Sequence, residues 1–353
     1  MVGKTPETSP LSDVEDGNNF ITDVTSKHFT LRTRVARKNM GRPKSDWQQR
    51  LEQDGFVVVP ERIPLEDCAG FREEALSWLE KFPYGFKRDD RGGLYTRYSI
   101  GHEAFVWKIR SQSKILEAFA QLWDTDDLIA SFDGINVSLP INEKTGRTDI
   151  EPTAAWPHMD QNPRRPDRFE LYQGIANLAP SGPDDGGLVL LKGSHLLHAD
   201  HYAAIGGFRA EQDGGETENQ YQFTADDVAW YKSRGCEEVK VCAGEGDLIV
   251  WDSRLIHWNS SPVGEQIRFA TYVCYCPRSF MSEEDMACKL ELFRQRKGTT
   301  HWPQQNVVPV DRPDKHQSIP LRPDGSEDLA NRTRPYVEPE ETPAVLRLVG
   351  VRS

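Results

Sequence analysis

Two histidines and one aspartate have the types and spacing of a metal site. His158 and Asp160 are separated by one residue, and His257 lies far downstream in a second apolar segment. On an extended strand, residues i and i+2 face the same way, so the first two side chains would point to one place. Two histidines and a carboxylate that leave coordination positions open are the ligand set of non-haem Fe(II) oxygenases. A lone His-x-Asp pair or interior histidine is common, so this interpretation needs a further residue.

An arginine within an apolar segment provides that residue. Arg268 interrupts the run from Ile267 to Tyr275, where a buried guanidinium must have a partner. If residues 257–268 form a hairpin, Arg268 lies directly opposite His257, and opposed side chains on one face are close neighbours. Its partner is then either a protein carboxylate such as Asp252 or the carboxylate of a small dicarboxylate co-substrate. The predicted metal ligands favour the co-substrate, which a guanidinium binds through two parallel hydrogen bonds.

The elements that must position these residues are short strands preceded by helices. Apolar, β-branched patterns separated by Gly-, Pro- and Asp-rich turns predict strands over 128–140, 172–178, 188–191, 239–242, 247–251 and 267–276. Capping residues and amphipathic patterns predict helices over 45–55, from 64 onward, and over 113–123, 283–297 and 342–350. This order predicts a mainly β fold, a jelly-roll core with N-terminal and C-terminal helices packed on it.

The composition along the chain predicts one domain with a tail. Residues 1–27 are polar, acidic and rich in Ser and Thr, which is typical of a disordered tail. We expect residues 28–353 to form a single domain whose jelly-roll core covers about 128–277. Residues 282–353 then form a helical and irregular C-terminal extension.

The net charge of the chain indicates which partners it can bind, and its cysteine content indicates its cellular compartment. The chain has 43 Lys and Arg against 55 Asp and Glu, a net charge of −12. An acidic surface argues against nucleic acid and membrane partners, which require basic patches, and leaves a small-molecule substrate as the expected partner. No apolar run approaches the length of a membrane span, and no signal peptide is recognisable. Six cysteines without a Cys-x-x-Cys motif are typical of a reducing, cytoplasmic location.

An aromatic segment over 84–107 has two interpretations. It is either a surface loop with ordinary aromatic anchors or a lid that forms one wall of a substrate site, because long loops often carry binding residues. Under the second interpretation, the candidate substrate-binding residues are Arg97, Tyr98, His102, Phe105 and Trp107.

Three further histidines could be mistaken for a metal site. His195, His198 and His201 are spaced by three residues after a Gly-Ser turn. This spacing is typical of a turn or a short helix, and we expect these histidines not to bind metal.

Taken together, the motifs resemble those of the phytanoyl-CoA dioxygenase-type Fe(II)/2-oxoglutarate oxygenases. The resemblance covers about residues 47–277, and its segments are His158-x-Asp160, 187–195, 246–252, His257 and Arg268. It implies a double-stranded β-helix core, with His158, Asp160 and His257 as iron ligands. It also implies that Arg268 holds the distal carboxylate of 2-oxoglutarate. By position it suggests co-substrate contacts from Asn136 and Asn259, although both could equally be strand-edge polar groups.

The function implied by this resemblance is oxidation of a small organic substrate. Fe(II), 2-oxoglutarate and O2 would oxidise a C–H bond and release succinate and CO2, and specialised metabolism is an expected setting. Hydroxylation is the default outcome, and desaturation or cyclisation would need the same ligands. Two alternatives stay open: a jelly-roll metal- or ligand-binding protein without turnover, and a cupin-type metalloenzyme that does not use 2-oxoglutarate. The second leaves Arg268 unexplained.

Overall fold

The fold is described from a computed structural model of the chain. The described residues are 43–81, 92–148, 151–152, 154–162, 164–165, 168–207, 209, 219–305, 307–310, 326 and 334–352. The predicted tail over 1–27 lies outside these residues, as do the first residues of the aromatic segment.

Capping residues set the bounds of the N-terminal elements. Helix α1, Asp46–Asp54, begins after Ser45, which forms a capping box with Gln48. The helix ends at Gly55, whose φ of 84° lies in the left-handed region that glycine enters at little cost. Strand β1, Phe56–Val59, follows, and helix α2, Leu65–Glu80, begins near residue 64 as predicted.

The other elements alternate short strands with helices. The remaining strands are β2 (Leu94–Tyr95), β3 (Leu128–Ala130), β4 (Ile135–Ser138), β5 (His158–Met159), β6 (Tyr172–Asn177), β7 (Gly187–Lys192), β8 (Tyr221–Gln222), β9 (Glu237–Lys240), β10 (Leu248–Asp252), β11 (His257–Ser260), β12 (Arg268–Tyr272) and β13 (Tyr275–Pro277). The remaining helices are α3 (Ala104–Arg110), α4 (Ser113–Trp123), α5 (His198–Ile205), α6 (Ala225–Lys232), α7 (Glu283–Arg294) and α8 (Pro343–Val349). None of the helices in the described ranges is long and apolar enough to cross a membrane.

Two antiparallel sheets form the core. One contains six strands in the order β1-β10-β6-β12-β4-β2, and the other contains five in the order β8-β5-β11-β7-β9. Apolar side chains from both sheets, including Ile175, Ile249, Leu188 and Leu190, form one buried cluster. Burial of these apolar side chains is what holds the two sheets together. The arrangement is the predicted double-stranded β-helix, so the fold class is confirmed.

Helices from both ends of the chain cover the six-stranded sheet. Trp78 of α2, Trp107 of α3 and Phe119 of α4 are buried in one cluster with Val137 and Phe269 of the sheet. Residues of α7 and α8 join the same cluster. The predicted N-terminal and C-terminal helical cover is therefore confirmed.

The strand predicted over 128–140 is two strands, and the prediction of one continuous strand is wrong. Residues 131–134 separate β3 from β4, and the two strands belong to different sheets. At Gly134 the backbone passes so close to β2 that an added Cβ would lie 1.8 Å from the Tyr95 carbonyl oxygen. This crossing requires a glycine and breaks the strand.

The hairpin predicted from His257 to Arg268 is also wrong. His257 on β11 lies opposite Leu190 and His158, whereas Arg268 on β12 lies opposite Ser138 in the other sheet. The intervening loop crosses between the sheets. The N–H groups of Val263 and Gly264 donate to the Asp184 carbonyl at 2.8 and 2.7 Å, which binds the loop to a neighbouring turn.

Candidate metal centre and co-substrate pocket

The two histidines and the aspartate predicted as metal ligands converge at one point. His158 on β5 is directly opposite His257 on β11, and Asp160 follows β5. His158 Nε2 lies 3.5 Å from Asp160 Oδ1, and His257 Nε2 lies 3.2 Å from Asp160 Oδ2. One ligand atom from each residue lies within 4.8 Å of the other two, and all three residues are buried. This is the one such group of histidine, cysteine and acidic side chains in the described part of the chain.

Neighbouring groups hold the three side chains in position. The Nδ1 atoms of His158 and His257 each lie 2.9 Å from a backbone carbonyl, those of Trp156 and Leu255. A carbonyl only accepts, so each Nδ1 carries the proton and each Nε2 is directed toward Asp160. Such bonds on the outer nitrogen are usual for histidines that bind metal.

The carboxylate of Asp160 has its own supporting contacts. Gln173 on β6 donates to Asp160 Oδ2 at 2.9 Å, and the Asp160 N–H donates to the Ser253 carbonyl at 3.0 Å. The indole of Trp156 stacks on the imidazole of His158, with centroids 3.9 Å apart and planes at 5°. The three candidate ligands are therefore positioned by both sheets and by the segment that precedes β5.

The protonation states of Asp160 and His158 suit the binding of a cation. Burial would raise the pKa of Asp160, but the neighbouring imidazoles of His301 and His158 lower it well below its ordinary value. Burial and His257 lower the pKa of His158, so this imidazole is neutral at neutral pH. Because His158 carries its proton on Nδ1, the lone pair on its Nε2 faces an oxygen of the Asp160 carboxylate. Two lone pairs in this arrangement repel each other unless a cation lies between them, so the residues fit a metal ion.

Arg268 lies on the inner face of the six-stranded sheet and is 4% exposed. Its side chain makes no hydrogen bond or ion pair within the described residues, and its buried Nη1 has no partner there. The alternative partner Asp252 is bound instead to Arg254, at 2.6 Å between Oδ2 and Nη2. A buried guanidinium without a protein carboxylate fits an anionic ligand.

Both candidate asparagines lie on the inner face of a sheet. Asn136 is opposite Ala270, two residues from Arg268, so it shares the face of Arg268. Its amide already donates to the Gly92 carbonyl at 3.0 Å and accepts from Ser138 Oγ at 2.7 Å. Asn259 is half-buried and follows His257 by two residues on β11, so both side chains share a face.

The five aromatic-segment candidates are placed mostly in the helix-covered core. Tyr98, Phe105 and Trp107 belong to the buried cluster described above. His102 is fully buried, donates from Nε2 to the Lys297 carbonyl at 2.9 Å and accepts from Trp107 Nε1 at 3.3 Å. Arg97 is half-buried. These contacts give the residues a packing role, and their contact with substrate stays a prediction.

The three other histidines considered in the sequence, His195, His198 and His201, make hydrogen bonds away from the candidate metal site. His198 donates to the Arg254 carbonyl and accepts from the Tyr231 hydroxyl, both at 2.7 Å. His201 Nε2 is bound to Asp227 at 3.0 Å, and His195 Nε2 donates to the Glu52 carbonyl at 3.1 Å. They do not form a metal-binding group.

Sequence reasoning missed Gln173 and His301. Gln173 lies in a strand without a motif, and only the register of β6 brings it to Asp160. His301 is close enough to Asp160 and Asp133 for its imidazole to lower the pKa of each carboxyl, against the effect of burial. Its Nε2 is buried and has no hydrogen-bond partner in the described ranges. Thr299 places the segment by donating from its N–H to the Phe132 carbonyl at 3.0 Å.

Comparison with known proteins agrees with this site. The family model for phytanoyl-CoA dioxygenase (PhyH) matches residues 51–270, more than half of the chain. The chain belongs to the phytanoyl-CoA dioxygenase family. Its membership confirms the predicted enzyme class, a Fe(II)/2-oxoglutarate-dependent oxygenase, and the predicted cofactors.

Two kinds of relative accompany this family assignment. The Ava biosynthesis cluster protein O of Aspergillus versicolor is 33% identical over 282 residues, which are 75% of this chain and 88% of that protein. A solved protein of Salmonella typhimurium LT2, designated an oxidoreductase, matches at a TM-score of 0.58 and 12% identity, over 87% of this chain and 83% of its own. The epimerase SnoN, solved with Fe3+, alpha ketoglutarate and nogalamycin RO, matches at a TM-score of 0.47 and 17% identity, over 82% of this chain and 96% of its own. The Salmonella structure supports the fold.

Proposed function

We propose that this member of the phytanoyl-CoA dioxygenase family oxidises a C–H bond of a small organic substrate and releases succinate and CO2. The observation that carries the proposal is a buried His/Asp/His group in the same interior as an arginine that has no partner among the described residues. Hydroxylation is the simplest outcome, and desaturation or cyclisation uses the same groups. The name of the Aspergillus relative supports a role in a biosynthetic pathway of specialised metabolism.

Each inner-face residue has a proposed role. His158, Asp160 and His257 hold Fe(II), and Arg268 binds the distal carboxylate of 2-oxoglutarate. Asn259 and Asn136 contact the co-substrate as further polar groups. When bound, iron and 2-oxoglutarate supply the oxidising chemistry, since the metal has positions open beyond three protein ligands.

The chain contributes geometry, charge and exclusion of water. The carbonyls of Trp156 and Leu255 fix the ring orientation of the two histidines, and Gln173 fixes one carboxylate oxygen. The buried apolar cluster between the sheets keeps water from the interior in which Arg268 lies. In that low-polarity environment, one guanidinium discriminates strongly in favour of an acid co-substrate.

The proposed substrate side of the site combines His301 with the aromatic-segment candidates. His301 acts electrostatically on Asp160, and its buried Nε2 has no hydrogen-bond partner among the described residues, so we assign it to the substrate pocket. Among the aromatic-segment candidates, Arg97 is half-buried, whereas the others are buried. We propose that all five contact the substrate and that Arg97 makes the most accessible of these contacts.

We also propose that residues 28–353 act as a single oxygenase domain that functions in the cytoplasm. The six cysteines are free thiols, as expected in a reducing compartment. Small molecules, rather than nucleic acids or membranes, are the proposed partners of this acidic protein.

The test is succinate release from 2-oxoglutarate. Purified protein is loaded with Fe(II) without oxygen, mixed with 2-oxoglutarate and a panel of small organic molecules, and exposed to air. We expect wild-type protein to form succinate, and His158→Ala and Asp160→Ala to form none. Asp200→Ala, which changes an exposed acid of α5, is the matched control and should behave as wild type. Metal binding without any succinate would favour a binding protein, and full activity of Arg268→Leu would favour a cupin-type enzyme.

A further inference from the structure

A second cation lies beside Arg268. Gly187, the first residue of β7, has a φ of 143°, a conformation that side-chain-bearing residues rarely adopt. A Cβ built on Gly187 would lie 3.0 Å from Arg268 Nε and 3.3 Å from Lys240 Nζ. The guanidinium of β12 and the ammonium of β9 therefore lie next to one small volume, which the absence of a side chain keeps open.

Neither Arg268 nor Lys240 forms an ion pair with a carboxylate in the described part of the chain. Lys240 donates to the Val241 carbonyl at 3.3 Å, and it forms no ion pair with a carboxylate of the described residues. The nearby Asp185 accepts at Oδ2 from the Gly182 N–H at 2.7 Å and forms no ion pair with Lys240. Burial, followed by the charge of Arg268, lowers the pKa of Lys240.

Two adjacent cations without a counter-ion repel each other, so an anion that binds between them would be stabilised by both charges. Other lysines of the chain illustrate the contrast. Lys192, at the far end of the same strand as Gly187, lies 3.3 Å from the Asp54 carboxylate. Lys240 is directed instead toward the pocket of Arg268.

We propose that Lys240 is a second cationic contact for the distal carboxylate of 2-oxoglutarate, and that Gly187 keeps the space between Lys240 and Arg268 open for that carboxylate. This inference rests on the proposed function. The two cations then define the closed end of the co-substrate pocket and select a diacid. A 2-oxo acid whose far end is uncharged gains nothing from either residue.

The test compares Lys240→Met with Lys192→Met in the full-length protein. Binding of 2-oxoglutarate to Mn(II)-loaded protein is measured by calorimetry, and KM and kcat for succinate formation are measured with Fe(II). One charge-assisted hydrogen bond corresponds to at least about a tenfold change in affinity. We therefore expect Lys240→Met to raise Kd and KM for 2-oxoglutarate about tenfold with little change in kcat, and Lys192→Met to leave both unchanged.

Three further measurements make the result specific. Lys240→Arg should restore most of the affinity, and the 5-methyl ester of 2-oxoglutarate should bind wild type and Lys240→Met equally. Glutarate should raise the Tm of metal-free wild type more than that of Lys240→Met. An unchanged Kd for 2-oxoglutarate in a folded Lys240→Met protein overturns the inference alone. Wild-type protein that neither binds nor consumes 2-oxoglutarate overturns the proposed function as well.

Discussion

Replacement of Arg268 should separate stability from co-substrate binding. Arg268 is buried, and its Nη1 has no partner in the described part of the chain. A buried unsatisfied polar group costs about 1–3 kcal/mol, more if charged. Arg268→Met removes this group and keeps an apolar side chain of similar length. We expect the metal-free variant to be at least as stable as wild type, with a Tm unchanged or a few degrees higher.

The same change should nearly abolish binding of 2-oxoglutarate. Two charge-assisted hydrogen bonds contribute about 1.5–3 kcal/mol each, so their loss weakens binding by at least about 100-fold at 1.4 kcal/mol per tenfold. Thermal unfolding of the metal-free protein gives the stability, and calorimetry on Mn(II)-loaded protein gives the Kd.

Arg254→Met is the matched control, because Arg254 is bound to the buried carboxylate of Asp252. Loss of one member of a buried pair costs a few kcal/mol, so this variant should lose stability and keep its affinity for 2-oxoglutarate. An Arg268→Met protein that is destabilised as strongly as Arg254→Met, and whose Kd for 2-oxoglutarate is unchanged, would refute the proposed role of Arg268.

Three other predictions follow from the same structure. Gln173→Leu removes the amide that fixes Asp160 and should weaken metal affinity about 10- to 100-fold in a chelator competition, whereas an unchanged affinity would show that Gln173 has no positioning role. Burial lowers the pKa of His198 to about 4, so the unfolded chain takes up a proton between pH 6.5 and 4 that the folded protein does not. The free energy of unfolding in urea should therefore fall, by up to about 3 kcal/mol, as the pH decreases through this range, and His198→Gln should lose that part of the slope; an identical slope would contradict it. His301→Gln should bind Fe(II) and 2-oxoglutarate normally but raise the ratio of succinate to oxidised product, and an unchanged ratio would remove His301 from the substrate pocket.

Local patterns of the sequence were enough to bring two of the three candidate metal ligands together. His158 and Asp160 are two residues apart at the end of a strand, so their convergence follows from strand geometry alone. The capping residues Ser45 and Gly55 similarly predict the bounds of α1. Each of these inferences needs only neighbours along the chain.

Relationships between the sheets could not be predicted in this way. Arg268 was placed beside His257 by a hairpin, whereas β11 and β12 lie in different sheets. A loop of seven residues can form either a hairpin within one sheet or a crossing between two sheets. Here the loop crosses, and it is bound to the carbonyl of Asp184, which is far away along the chain. Gln173 reaches Asp160 through the same long-range packing, which no local pattern encodes.

The aromatic composition of residues 84–107 also could not distinguish a substrate wall from part of the core. Tyr98, Phe105 and Trp107 have the residue types of a substrate wall and of a core, and the structure buries them under α2 and α4. His102 resembles a site histidine in the sequence, but both of its nitrogens have partners in the interior. Burial is decided by which helices pack on the segment, and that is a property of the whole fold.

The central claim is that one buried pocket holds both iron and 2-oxoglutarate. Anomalous diffraction at the iron edge, from crystals grown without oxygen in Fe(II) and 2-oxoglutarate, tests it most directly. We predict one iron peak bound by His158 Nε2, His257 Nε2 and an oxygen of Asp160, with the distal carboxylate of 2-oxoglutarate on Arg268. An iron peak at other residues, or a 2-oxoglutarate molecule that makes no contact with Arg268, would contradict it.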